Sequence, residues 1–208
     1  SFFPHGIDEE FLGVEVKENR GLRKEHARFL YAGNIGSGQG LDKIIPLIAE
    51  RYPQIEFTII GDGGKKNLLA EKCRHFPQVK ILPPVDRVKL IRFYQDSDVL
   101  FLHLNDFDAF KKVLPSKIFE YAAMGKPMVA GVGGYAREFL KQHVPDSLVF
   151  APCDVDDFSR QYDNFSGKID MAPRQRFIAN FSRAKIMDDM AVDILTLRGL
   201  TSTKEKRA

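Results

Sequence analysis

Residues 111–131, KKVLPSKIFEYAAMGKPMVAG, hold the side chains best placed to do chemistry. Lys111, Lys112 and Lys117 surround Leu114, Pro115 and Ser116, and one early carboxylate, Glu120, follows Lys117 by three positions. Pro115 suits a first helical turn. The pattern predicts a helix over 116–124 that stops at Gly125, a short apolar strand at 127–130, and a Gly-rich turn at 131–134 that includes Gly133 and Gly134. A helix start gathers anions because its first amides are free and its dipole is positive there. A carboxylate one turn inside can accept hydrogen bonds from hydroxyls. The combination suits a nucleoside diphosphate: phosphates on Lys117 and the amides of Ser116 and Lys117, ribose hydroxyls on Glu120. Lysines oppose the dipole at this end, so Lys117 is expected to be offset by a bound anion. Lys111 and Lys112 read equally well as a solvated face. Glu120 has a plainer reading, an acid that favours the dipole, but Phe119, Ala122 and Ala123 read as buried neighbours and place it near a cleft or the interior.

Three loops offer further candidates. Gly33-Asn34-Ile35-Gly36-Ser37-Gly38-Gln39-Gly40 follows a strand and precedes a helix, where backbone amides can approach a phosphate. Its spacing is G-x-G-x-G, one residue short of the dinucleotide fingerprint, and a tight turn alone would also explain the glycines. Gly61-Asp62-Gly63-Gly64 ends another strand. Asp62 there reads as turn chemistry, while Gly61 allows a ligand to approach. Asp106-Phe107-Asp108 has the D-x-D pattern that can hold a divalent metal, but a solvated loop accounts for it more simply. No Cys or His spacing reads as a metal site.

These residues need a scaffold, and the rest of the chain supplies one. Short runs rich in Val, Ile, Leu and Phe at 28–32, 56–60, 79–82, 99–103, 127–130 and 147–150 read as strands covered on both faces. Helical periods at 41–51, 66–74, 87–96, 116–124, 136–143 and 155–165 alternate with them. That alternation predicts an α/β fold, a Rossmann-like doubly wound parallel sheet of about six strands, with ligands beyond the carboxyl ends of the strands. Residues 174–200 have no strand partner and read as one or two helices packed outside the sheet. The expected division is a linker at 1–8, the sheet domain at 9–182, a C-terminal helix at 183–200 and a disordered tail at 201–208. With 208 residues, 44% of them hydrophobic, the chain can bury a full core. It opens at Ser1 rather than Met, as a piece of a longer protein would. A net charge of +3 is too small to argue for nucleic acid and leaves anionic ligands or an anionic membrane surface open. No signal peptide or membrane-length run is present, and Cys73 and Cys153 read as reduced thiols of a cytoplasmic protein.

In order, these segments resemble the C-terminal, donor-binding domain of family-4 retaining glycosyltransferases of the GT-B type. Pro4-His5-Gly6-Ile7-Asp8 is similar to the P-N-G-x-D turn entering that domain. Tyr31 through Asp42 is similar to its glycine loop, Ile59-Ile60-Gly61-Asp62-Gly63 to its I-G-D-G turn, and Asp96-Ser97-Asp98-Val99 to its A-D-V strand entry. Leu114 through Pro127 is the most specific match, and it resembles the subgroup that builds bacterial O-antigen, capsule and related surface polysaccharides. The resemblance spans residues 1–185. It implies a nucleoside-diphosphate sugar, UDP- or GDP-linked, as donor substrate with no cofactor and no metal. The acceptor, a glycan or lipid-linked glycan, would be bound through an N-terminal domain absent from this chain. Peripheral contact at the inner face of the cell membrane follows from such acceptors. Lys117 and Glu120 take the catalytic roles, neutralising the leaving diphosphate and anchoring ribose. The donor-binding set is Gly33, Asn34, Gly36, Gln39, Gly40, Gly61, Val85, Lys112, Leu114, Pro115, Ser116, Gly133 and Gly134, with Val85 touching the base.

Two departures stand out. Lys112 occupies the first position of the family's E-x7-E pair, near the transferred sugar, which points to an anionic or acylated sugar or to a shifted loop register. Asn34 and Gln39 stand where many relatives carry Arg and Lys. Two rivals remain: a nicotinamide oxidoreductase using the glycine loop and Asp62, and a non-catalytic nucleotide-binding module. His5, His26, His75, His103 and His143 are scattered, which leaves the oxidoreductase without an obvious acid/base group.

Overall fold

Successive side chains on a strand point to opposite faces, so a strand with no polar face must be covered twice. A computed structural model, which describes residues 3–14 and 21–197, shows this arrangement. Six parallel strands, β1 (Arg28–Asn34), β2 (Glu56–Asp62), β3 (Val79–Leu82), β4 (Val99–His103), β5 (Met128–Gly131) and β6 (Leu148–Phe150), form one sheet in the order β3-β2-β1-β4-β5-β6. Phe29, Tyr31, Phe57, Ile59, Val99 and Phe101 face one core, packed by α1 (Leu41–Arg51), α2 (Lys66–Cys73) and α6 (Val155–Tyr162). Leu30, Ala32, Ile60, Leu100 and Leu102 face the other, packed by α3 (Arg87–Asp96), α4 (Lys117–Ala123), α5 (Gly134–His143) and α7 (Met171–Phe181).

The expected strands and helices are all present, with bounds shifted by a residue or two except at α6, which ends at Tyr162 rather than 165. The C-terminal stretch is two helices, and the first begins at Met171 because Asp170 caps it, its side chain accepting from Ala172 N at 3.0 Å. α8 (Arg183–Leu197) follows after Ser182. Ile7 is fully buried and bridges the α7–α8 junction, with its N–H on Phe181 O at 2.7 Å and its carbonyl accepting from Arg183 N at 2.9 Å. Asp8 adds ion pairs to Arg183 at 2.7 Å and Arg87 at 3.2 Å. The expected tail, 201–208, lies outside the described residues.

Strand order reverses between β1 and β4, one leading to a helix on one face and the other to helices on the opposite face. Such a switch point opens a crevice beyond the carboxyl ends of the strands.

Candidate functional site

α4 starts at this crevice. Ser116 precedes it without a side-chain cap. Its first turn is tight, with Ile118 N on Pro115 O at 3.1 Å and Phe119 N on Ser116 O at 3.0 Å. The amides of Ser116 and Lys117 have no acceptor among the described residues, as the geometry of a helix start dictates.

Lys117 and Glu120 meet. Lys117 Nζ lies 2.8 Å from Glu120 Oε2, and the two side chains are 25% and 13% exposed. Sequence reasoning expected Lys117 to lack a local partner and to need a bound anion. The structure supplies a local partner: three helical positions bring the carboxylate within reach of the lysine. A third group, missed in the sequence, joins them. The Tyr94 hydroxyl donates to Glu120 Oε2 at 3.1 Å and accepts from Lys117 Nζ at 3.3 Å. Tyr94 comes from α3, is fully buried, and packs edge-on against Tyr121 at 5.4 Å. Burial, then the neighbouring Tyr121 and Glu120, hold its hydroxyl well above the ordinary tyrosine range, so it stays protonated. The available signal was a tyrosine on the buried face of a helix, whose hydroxyl must find a partner.

The glycine loop reaches this cluster at Gly33, where a Cβ would stand 3.8 Å from Lys117 Cε. Asn34 and Gln39 bind each other, Nδ2 to Oε1 at 3.0 Å, and Gln39 Oε1 also accepts from Gly36 N at 3.2 Å. The two amide side chains therefore close the loop internally. Gly40 turns the chain into α1 at φ +59°. Gly61 has a packing role that the sequence hid: a Cβ there would lie 1.9 Å from Gly33 O, so the two strand ends can pack this closely only with glycine. Asp62 accepts from Gly63 N at 2.8 Å, as turn chemistry. Val85 is half-buried on the segment between β3 and α3.

The remaining candidates gather beside α5. The helical turn Asp108–Lys112 docks on Gly134, where φ is +54° and a Cβ would fall 2.1 Å from Lys111 O. Lys111 is paired with Asp108 at 2.7 Å. Lys112 is exposed and lines a crevice of about 240 Å³ with Phe3, Pro4, His5, Leu114 and Tyr135. Gly133 precedes α5 in extended conformation. Asp106 and Asp108 are exposed, and among the described residues no cluster of His, Cys, Asp and Glu is placed to hold a metal ion. No helix among them is long and apolar enough to cross a membrane.

Residues 15–180 match the family described as glycosyl transferases group 1. A search of curated proteins finds no match. Among solved structures, the chain is similar to HepE of Anabaena in complex with UDP and glucose, at 17% identity and TM-score 0.64, over 82% of this chain and 48% of that one. It is similar to the apo form of the lipopolysaccharide outer core galactosyltransferase WaaB, at 17% and 0.65, over 89% and 53%. A glycosyltransferase from Rickettsia africae ESF-5 aligns at 16% and 0.66, over 85% and 49%. The chain thus spans about half the length of these structures. At such identities the likeness speaks for the fold.

Proposed function

The chain belongs to the glycosyl transferases group 1 family, and on that footing we propose that it is the donor-binding half of a retaining glycosyltransferase. Its ligand is a nucleoside-diphosphate sugar, UDP-linked, and its product a polysaccharide or lipid-linked oligosaccharide made at the inner face of a membrane. The observation that carries this reading is the Lys117–Glu120–Tyr94 cluster, set beside Gly33 and two unengaged amides at a sheet switch point. A cation and free amides suit a diphosphate, and a carboxylate suits ribose hydroxyls. The similar HepE structure is a complex with UDP and glucose, which supports UDP as the nucleotide.

In this proposal Lys117 and the amides of Ser116 and Lys117 neutralise the diphosphate as its bond to the sugar breaks. Glu120 holds ribose and so fixes the phosphates in place. Gly33, Asn34, Gly36, Gln39 and Gly40 flank the diphosphate, and Val85 meets the base. Pro115 and Leu114 shape the approach to the sugar, which lies toward Lys112, Gly133 and Gly134. Donor binding replaces the 2.8 Å pair of Lys117 and Glu120 with contacts to two parts of one ligand.

Calorimetric titration with UDP, GDP and NADH tests the reading, alongside Glu120→Gln. UDP binding is expected, weakened roughly 10- to 100-fold by the substitution, the worth of a hydrogen bond to a charged group. Binding of NADH alone would instead favour an oxidoreductase, and no binding of any of the three would favour a module without its own ligand site.

A further inference from the structure

The glycine loop is gripped from the end of β4. Asn105 Nδ2 donates to Ser37 O at 2.8 Å, Asn105 N donates to Gly38 O at 2.8 Å, and His103 Nδ1 lies 2.6 Å from Gln39 O. Three successive carbonyls are therefore turned toward β4. Peptide units are planar and trans, so the N–H groups of Gly38, Gln39 and Gly40 point the other way. That of Gln39 is used on Gly36 O at 3.2 Å, while those of Gly38 and Gly40 have no acceptor among the described residues. Amides presented this way form a concavity for an anion.

Asn105 makes two of these contacts, and His103 makes the one that fixes the Gln39 carbonyl, the last of the three. Its ring is fully buried, and Nε2 lies 2.9 Å from the backbone N of Cys153. A backbone N–H can only donate and a carbonyl can only accept, so the ring proton sits on Nδ1 and the imidazole is neutral. Burial, with Lys43 nearby, outweighs the Gln39 bond and pushes its pKa down to about 4. The ring lies nearly parallel to Phe101, at 6.2 Å, and room for it exists because residue 131 is glycine: a Cβ there would stand 2.2 Å from His103 Cδ2. Cys153, whose amide meets Nε2, has φ +58° and is alone among the described non-glycine residues in positive φ. A strained backbone is thus kept where it completes the imidazole's partners.

We infer that His103 is a positioning residue for the ligand: its Nδ1–H tautomer holds the glycine loop so that the Gly38 and Gly40 amides meet an anionic group of the nucleotide. The nucleotide's identity rests on the function proposed above; the loop geometry does not.

The test uses two substitutions that each keep one side of the ring. Asn at 103 can still donate where Nδ1 did, and Gln can still accept where Nε2 did. Long-range ¹⁵N NMR on the 208-residue chain reads the His103 tautomer, and the Gly36, Gly38 and Gly40 amide resonances report the loop. The expected result is an Nδ1–H ring, with His103→Gln moving those resonances and weakening UDP about 10-fold or more while His103→Asn stays within about 3-fold of the parent. His103→Phe, similar in shape, should behave as His103→Gln does. An Nε2–H ring overturns the inference, as does a His103→Gln chain that keeps both the loop resonances and the UDP affinity. If the parent chain binds no UDP, the nucleotide reading falls, and the loop resonances alone decide whether His103 positions the loop.

Discussion

Tyr94 links α3 to the proposed donor site through a single hydroxyl. Tyr94→Phe removes a donor to Glu120 while keeping the ring's packing on Tyr121. We expect stability to fall by about 1 kcal/mol and UDP affinity by several-fold, since an ordinary hydrogen bond contributes on that order. In a Glu120→Gln background the same change should have no further effect on affinity; additive losses in a calorimetric double-mutant cycle would show that the hydroxyl acts elsewhere. His103 supplies a pH signature as well. Its pKa is about 4 in the fold against 6.5 ordinarily, so the unfolded chain binds more protons between those values. Its contribution is therefore complete above about pH 6.5 and fades toward about pH 4, a loss of roughly 3 kcal/mol. His143, lowered by burial, moves in the same sense. Asp98 titrates in a different window: burial pushes it up, but hydrogen bonds from Arg28 prevail and hold it below the usual range. Its contribution is present above the ordinary carboxylate pKa and lost as pH falls through its own. Urea unfolding from pH 7 to pH 3 should show both declines, and His103→Phe should shrink the upper one to the His143 share while sparing the lower.

Among the elements, α7 owes its place to a buried charge. The Arg174 side chain is wholly buried, with Nε on Asp146 at 3.0 Å and its terminal nitrogens on Ala122 O at 3.3 Å and Lys126 O at 3.2 Å. It therefore closes the C-terminal end of α4, the helix whose other end carries Lys117. Phe177 and Phe181 add ring contacts to Phe119 at 5.8 and 5.6 Å. Arg174→Met leaves the Asp146 carboxylate, 8% exposed, without its counter-charge and with only Asp170 N at 3.2 Å, and should cost about 3–5 kcal/mol in urea unfolding. Adding Asp146→Leu should restore part of that loss but not all, because the two carbonyls stay short of a donor. The turn Asp108–Lys112 depends on a single glycine in the same way. Gly134→Ala places a methyl 2.1 Å from Lys111 O on a left-handed backbone, so it should displace Lys112 from the crevice it lines.

For the molecule as a whole, the chain spans 48% of HepE and 53% of WaaB. α8 bears on that. Ile186 is its one buried residue, while Met187, Val192, Ile194, Leu195 and Leu197 are exposed. We propose that this helix packs on the absent acceptor-binding half. The chain alone should then bind nucleotide yet transfer little sugar to lipid-linked acceptors in a turnover assay; robust transfer would refute the division of labour. We propose that the crevice lined by Lys112, His5 and Tyr135 receives an anionic group of the transferred sugar. A UDP-hexuronate should accordingly lose more affinity than a UDP-hexose on Lys112→Ala.

Much of this was legible in the residues. Apolar runs spaced by helical periods specify strands and crossovers locally, so the α/β class followed from runs such as 28–32, 56–60 and 99–103 without tertiary information, while the last two residues of β1 and of β2 did not. The start of α4 was equally local, written in Leu114-Pro115-Ser116-Lys117 and Glu120. What the fold alone decided are meetings between distant segments. Tyr94 reaches Glu120 across 26 positions, and His103 reaches Gln39 across 64 and Cys153 across 50. The close approach of Gly61 to Gly33 on the next strand also requires glycine. Periodicity reports which face of an element is apolar, but the partner of a buried hydroxyl, imidazole or missing Cβ depends on the order in which strands lie side by side, and that order is set only when the whole sheet assembles.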